Sequence, residues 1–167
     1  MDNRTEANIL ADSFESVRSL TRWYISKLKD ADMHKVFEAD GKKLNSAYWV
    51  TAHLTWSEQF LLLQAIGGNP LNIPWLEQFR IGSKMPDDKN GLPPVKQVLD
   101  AWKEIHAAAM AHVRSLPDEL LGKDNPAGFG FGGDNSYRMM IQHAIRHEAM
   151  HTGHLSWLCK LYGLKTI

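Results

Sequence analysis

The chain has 167 residues, 44% of them hydrophobic and 23% charged, and this composition predicts one globular domain over residues 1–167. Its 19 basic residues balance its 19 acidic residues, so the basic excess of nucleic-acid-binding proteins is missing and no nucleic-acid partner is expected. The single cysteine, Cys159, excludes an internal disulfide and favours a reducing, cytoplasmic location.

A first amphipathic helix is predicted from about Glu6 to Lys29. The segment MDNRTEANIL, which overlaps its start, carries acidic residues and no long apolar run, so a signal peptide is not expected. Within the helix, apolar residues recur three and four positions apart, which is the helical period. The predicted buried face consists of Phe14, Val17, Leu20, Tyr24, Ile25 and Leu28.

A second helix is predicted from about Ser46 to Ile66. Asn45 or Ser46 can cap it by accepting a hydrogen bond from a free backbone N–H, and the sequence GGNP at 67–70 ends it. Its apolar run FLLLQAIGG is much shorter than the roughly 20 residues that cross a bilayer, so no membrane partner is expected.

A proline-rich loop of about 25 residues follows, which is longer than most connections in a compact domain. Loops of this length are often functional or locally ordered. Trp75, Leu76 and Phe79 predict a short helical turn that packs on the rest of the domain. The loop around Trp75 is also a candidate wall for a binding pocket.

A third helix is predicted from about Pro94 to Leu116, with proline in the first turn, where its missing N–H is not needed. Its apolar stripe consists of Val95, Val98, Leu99, Trp102, Ile105 and Ala109. The strict alternation of β-branched residues that a sheet requires is missing from the chain. Together with one further helix, the pattern predicts an all-α four-helix bundle with a long loop between its second and third helices.

The glycine-rich segment KDNPAGFGFGGDNS leads into the fourth helix. That helix is predicted to begin at Asp134, Asn135 or Ser136 and to end near Gly163. The glycines at 128, 130 and 133 match GxGxxG, but this fingerprint of nucleotide binding needs a preceding strand, and none is predicted. We interpret the segment as a flexible connection; the alternative is a loop that holds an anion at the start of the helix.

The fourth helix concentrates histidine in the stretch HAIRHEAMHTGH, residues 143–154, which contains four of the chain's eight histidines. Because successive residues turn by about 100° around a helix, the four side chains fall on one narrow face. His147 and His151 lie one turn apart, so their rings can converge on one metal ion. Burying four imidazoles without partners would be costly, and we therefore expect at least two of them to bind a metal.

A third ligand is expected from a facing helix, and the second helix offers His53 within YWVTAHLTWSEQF. His53 shares a stripe with Trp49, Trp56 and Phe60, which is the buried face by hydrophobicity. We interpret the two tryptophans as core residues rather than as substrate contacts. Three histidine ligands leave coordination positions open, as in catalytic rather than structural metal sites.

The sequence HEAMH at 147–151 also matches HExxH, the zinc-protease motif, in which Glu148 would be the general base. That class takes a third ligand further along the chain, commonly glutamate or histidine. No acidic residue follows Glu148, and His154 comes too early for the extended form of the motif. A metalloprotease is therefore disfavoured.

These motifs together resemble the DinB superfamily over nearly the whole chain. The resemblance rests on AHLTWSEQ with His53, on LPDELL after the third helix, and on a last helix of the form HxxxHxxxHxGQ. In this chain the last pattern is formed by His143, His147, His151, Gly153 and, in place of the usual glutamine, His154.

The resemblance implies a four-helix bundle with a metal bound by three histidines. Matched position by position, the implied metal ligands are His53, His147 and His151. The two remaining histidines of the motif, His143 and His154, are candidates for contacts to these ligands or to a substrate.

The resemblance also implies chemistry on small molecules. Characterised members include thiol-dependent enzymes that transfer bacillithiol, mycothiol or glutathione onto electrophiles, and homodimers are common among them. We therefore expect a divalent metal, zinc or nickel first and iron, cobalt or manganese as alternatives, that activates a small thiol or water. Two other functions stay open: a metal-dependent hydrolase, and a non-catalytic stress protein that binds metal or a small molecule.

Overall fold

The computed structural model describes residues 4–86 and 88–166. Within these ranges the α-helices are α1 (Glu6–Lys27), α2 (Ala47–Gln59), α3 (Val95–Ser115), α4 (Asp118–Leu121) and α5 (Tyr137–Leu161). Two short strands, β1 (Glu38–Ala39) and β2 (Lys42–Lys43), form an antiparallel hairpin in which Glu38 pairs with Lys43.

The longer helices α1, α2, α3 and α5 form a bundle. α1 packs against α5 and α3, and α2 packs against α3 and α5. Their inner faces share one cluster of buried apolar side chains that includes Phe14, Trp102 and Ile141. The all-α four-helix bundle predicted from the sequence is confirmed. In the part of the chain that the structure describes, no helix combines the length and apolar character needed to span a membrane.

Serine caps set the first residues of the two helices that carry the histidines. The Ser46 hydroxyl accepts a hydrogen bond from the backbone N–H of Trp49 at 3.2 Å, so α2 begins at Ala47. The Ser136 hydroxyl accepts a hydrogen bond from the backbone N–H of Met139 at 3.1 Å, so α5 begins at Tyr137. Each cap satisfies a backbone donor that has no partner within its helix.

The second helix continues beyond α2 as a π-helical turn, Phe60–Gln64, so the predicted length of this helix is close to the observed one. π-helical turns are rare in proteins, and those that occur often lie beside functional sites. The long loop that follows contains a short 3-10 helix, Pro74–Phe79, which is the helical turn predicted there. The side chains of Leu76 and Phe79 are fully buried and fasten this loop to the bundle.

The buried face of α1 differs from the predicted one. Leu20 is 38% exposed and Val17 is half-buried, whereas Arg18 and Thr21 are completely buried. The helical spacing of apolar residues predicted that Leu20 is buried. In the structure this part of α1 is rotated so that Arg18 faces two carboxylates inside the bundle. A buried charge is stable only with such partners, and these lie far away in the sequence.

The hairpin was not predicted either. Each of its strands has only two residues, which is too short for an alternating pattern to be recognised in the sequence. It lies between α1 and α2, and Asp40 and Gly41 form its turn with positive φ angles of 50° and 70°.

Candidate metal centre

Three histidines converge where α2 faces α5. The Nε2 atoms of His53 and His147 are 3.2 Å apart, and the ring centroids of His53 and His151 are 5.0 Å apart. One ring nitrogen from each of the three lies within 4.8 Å of the others. Two nitrogens bound to one tetrahedral zinc are about 3.3 Å apart, given Zn–N bonds of about 2.05 Å. The three side chains can therefore hold a metal ion.

The tautomer of His53 suits this arrangement. Its Nδ1 lies 2.7 Å from the backbone carbonyl oxygen of Phe79 and donates a hydrogen bond to it, which leaves the lone pair on Nε2. Phe79 ends the 3-10 helix of the long loop, so that loop orients the ring through its backbone. The donor set found among the described residues, three imidazoles, fits a divalent transition-metal ion.

Burial keeps the three rings neutral. Desolvation, and after it the repulsion from neighbouring histidines, lowers the pKa of His147 to about 4 and that of His151 to about 3. Desolvation also lowers the pKa of His53, although the hydrogen bond to Phe79 opposes this. Neutral imidazole is the form that binds metal, so the site does not need to lose protons at neutral pH before it can bind an ion.

The metal-free protein is expected to lose stability as the pH falls from 6.5 to 5. The pKa values of His147 and His151 in the folded protein lie well below their ordinary value of 6.5. Below pH 6.5 the unfolded chain therefore binds protons at these two rings while the folded protein does not. The stability is thus complete above pH 6.5 and falls by about 1.4 kcal/mol per pH unit for each such ring below it.

Urea unfolding of the metal-free protein at several pH values checks this expectation. Most carboxyl groups titrate below the interval from pH 6.5 to 5, and Glu148, whose pKa burial raises, is common to the variant and the unmodified chain. The double variant His147→Ala/His151→Ala should show a flatter profile than the unmodified chain. Equal slopes for the two proteins would contradict the expectation.

The two other histidines of α5 lie beside the converging three without joining them. The Nδ1 of His154 is 3.2 Å from the Nδ1 of His151, so His154 can orient that ring through a hydrogen bond. His143 is half-buried, and its ring stacks on Phe131 with centroids 3.3 Å apart. That His143 and His154 contact the metal ligands or a substrate in function stays a prediction.

Two tryptophans enclose His53. Its ring stacks on Trp49 with centroids 4.7 Å apart and lies 6.4 Å from the ring of Trp56 on a nearly parallel plane. Both indoles are buried, as predicted. Trp56 nevertheless also lines a cavity beside the histidines, so for this residue the interpretation as a core residue only is incomplete.

This cavity has a volume of about 30 Å³ and lies next to His53, His143 and His147. The remaining wall is formed by Trp56, Ser57, Phe60, Leu61, Ile81, Phe129 and Phe131. Trp75, the predicted wall residue of the long loop, is absent from it because its ring packs edge-on against Phe79, with centroids 6.3 Å apart. Ile81, a few residues further along the loop, lines the cavity instead.

A larger groove of about 580 Å³ adjoins His154 on another side of the site. The hairpin residues Glu38 and Lys43 line it together with apolar side chains of α5, among them Trp157. Charged side chains of both signs therefore line this groove.

Glu148 points away from the three histidines. Its Oε1 lies 3.0 Å from Nε of Arg18, and both side chains are buried inside the bundle. Burial raises the pKa of Glu148, and the positive charge of Arg18 opposes this shift. Glu148 therefore cannot act as the base of a zinc protease, and the match to that motif is coincidental.

Two features of the site were not predicted. The carbonyl of Phe79 that orients His53 is a backbone group, and no side-chain pattern reports it. Phe129 and Phe131 come from the segment interpreted as a flexible connection, but it is a closed loop in which the N–H of Phe131 donates to the carbonyl of Asp134 at 2.9 Å. The alternation FGFG was the available signal, because exposed connections rarely carry two aromatic residues.

The comparisons with known proteins agree with this geometry. A family model described as the DinB superfamily matches residues 13–155, which include all three converging histidines. No curated protein matched the chain.

Proposed function

The chain belongs to the DinB superfamily, and on this basis we propose that it is a metal-dependent enzyme that activates a small thiol for attack on a small electrophile. The observation that carries the proposal is the convergence of three neutral imidazoles, with Nε2 of His53 and of His147 3.2 Å apart. His53, His147 and His151 would hold the cation, with zinc or nickel as the expected metal. A cytoplasmic location belongs to the proposal, since free thiols persist there.

A divalent cation bound by three histidines keeps open coordination positions and lowers the pKa of a thiol or water that occupies one of them. The protein's own groups prepare the site. The carbonyl of Phe79 fixes the His53 tautomer, and His154 can hold the ring of His151 in place. The aromatic wall adds apolar surface beside His143.

A thiol is favoured over water as the nucleophile because the described part of the cavity wall offers no carboxylate as a general base. Among the described residues that line the cavity, none is aspartate or glutamate, and Glu148 pairs with Arg18. Hydrolysis commonly uses such a base to remove the proton of water. A thiol loses its proton more easily, since its ordinary pKa is about 8.5. Metal-dependent hydrolysis and non-catalytic binding are the two alternatives.

Zinc- or nickel-loaded protein is expected to consume thiol in the presence of 1-chloro-2,4-dinitrobenzene. Glutathione, bacillithiol and mycothiol are supplied in separate assays, and free thiol is titrated over time. The His147→Ala variant should lose the metal-dependent rate, because it lacks one of the three imidazoles. His34→Ala is the matched control, since His34 stacks on Tyr48 and is neither one of the three converging histidines nor a lining residue of the cavity.

The same preparations distinguish the alternatives. Turnover of p-nitrophenyl acetate without any thiol would favour hydrolysis. Firm metal binding with no turnover in either assay would favour a non-catalytic protein. Either result would contradict the proposed thiol chemistry.

A further inference from the structure

The cavity beside the three histidines has a wall of four aromatic rings, each in contact with the next. Trp56 stacks on Phe60 with centroids 5.1 Å apart, and Phe60 meets Phe129 edge-on at 5.5 Å. Phe129 in turn meets Phe131 edge-on at 5.2 Å. The cavity therefore offers flat apolar surfaces in more than one orientation, which suit another planar group.

No charged partner is available inside this cavity. Among the described residues that line it, none is aspartate, glutamate, lysine or arginine, and Ser57 supplies the only hydroxyl. A charged group that entered would lose its hydration without gaining an ionic partner, which is unfavourable. Glu38 and Lys43 line the groove at His154 instead, so a charged reactant finds its complement there.

The aromatic loop, residues 128–133, leaves little free space in the cavity. The cavity volume of about 30 Å³ is enough for one or two water molecules. It is this small because the ring of Phe131 covers the ring of His143, with centroids 3.3 Å apart. Gly128 and Gly132 have positive φ angles of 63° and 62°, a conformation that places the loop in this path and favours glycine. A reactant of any size must take the place of Phe131, and a planar group would replace its stacking on His143.

We propose that the cavity selects an uncharged electrophile with a planar apolar group, which takes the place of Phe131 against His143. This inference rests on the proposed function, because it assigns the cavity to the electrophile of that reaction. Trp56 and Phe60 also line the cavity, together with His53 and His147 of the three converging histidines.

Ligand-detected NMR on metal-free and zinc-loaded protein tests this specificity without any thiol. The probes are benzyl alcohol, cyclohexylmethanol, benzenesulfonate and benzyltrimethylammonium. We expect the dissociation constant of benzyl alcohol to be about tenfold or more below those of the two charged probes, and below that of cyclohexylmethanol. Equal or tighter binding of any other probe would overturn the inference; for the ammonium it would indicate cation–π recognition.

A pair of matched variants tests the location. Ile81 lines the cavity and is 65% exposed, so Ile81→Asp should fold while it places a carboxylate at the opening. We expect it to raise the dissociation constant of benzyl alcohol by about threefold or more. Ile9→Asp makes the same chemical change at a site on α1 that is 52% exposed, and should leave binding unchanged. Equal binding by the two variants would place the probe elsewhere.

The two proposals fail in different ways. If benzyl alcohol binds as expected and no thiol is consumed, the catalytic proposal fails and the specificity of the cavity stands. If thiol is consumed but charged electrophiles react as fast as uncharged ones of similar reactivity, the specificity fails and the catalytic proposal stands.

Discussion

Replacing His147 with alanine is expected to lower the affinity for zinc or nickel by more than about 100-fold. Removing a residue that only hydrogen-bonds to a metal ligand already lowers metal affinity by about 10–100-fold, and His147 is itself a proposed ligand. His147 supplies one of the three converging nitrogens, and among the described residues no carboxylate joins this group or lines the adjoining cavity to substitute for it. The helices should persist, since the apolar cluster that joins them does not include this ring. Competition with a chromogenic chelator measures the affinity, and circular dichroism measures the helix content.

Two further substitutions calibrate this result. His34→Ala removes a histidine outside the site and should leave metal affinity unchanged. His154→Ala removes only the contact to Nδ1 of His151 and should cause a smaller loss than His147→Ala. Full metal occupancy in His147→Ala would contradict the assignment of the ligands. A complete loss of helicity would mean that the site is needed for folding.

The positions of the histidines could be predicted because the helical period decides them. On α5, His147 and His151 are one turn apart, and this spacing holds in any helix. His53 could be paired with them only by assuming that its apolar stripe on α2 faces the interior. That assumption was correct because the stripe includes Trp49 and Trp56, whose large apolar rings stay buried in almost any packing of the helices.

The features that could not be predicted depend on residues distant in the sequence. Arg18 lies beside the apolar residues of α1, and nothing local indicates that Glu58 and Glu148 meet it inside the bundle. The position of Phe131 against His143 depends in the same way on how a loop closes over a helix. Local propensity cannot decide such contacts, because their geometry appears only after the helices have packed.

Replacing Arg18 with methionine is expected to destabilise the protein by about 3–5 kcal/mol, because two buried carboxylates lose their shared cation. Arg18 is completely buried, and its Nη2 donates to Glu58 at 2.5 Å and to Glu148 at 3.2 Å. Its guanidinium also lies 4.5 Å from the ring centroid of Trp102. Methionine fills part of the volume but leaves two like charges buried inside the bundle. Urea unfolding at pH 7 measures the loss.

The loss should depend on pH in a defined direction. Burial already raises the pKa of Glu148 above its ordinary value of 4.5, and without Arg18 the weaker effects of Thr21 and His106 are left to oppose this shift. A carboxyl group with a raised pKa in the folded state contributes stability below its ordinary pKa and loses it as the pH rises. The variant should therefore fall further below the unmodified chain at pH 7 than at pH 5.

Neutralising the carboxylates distinguishes a lost ion pair from lost packing. The triple variant Arg18→Met/Glu58→Gln/Glu148→Gln should recover a large part of the stability, since a neutral cluster of similar volume no longer buries unpaired charge. Arg114→Met is the exposed control, because Arg114 pairs with Asp12 near the surface, where solvent screens the charges and the loss should be small. If the triple variant is no more stable than Arg18→Met alone, Arg18 stabilises the protein through its packing on Trp102. Compensation of the two carboxylate charges would then not be its role.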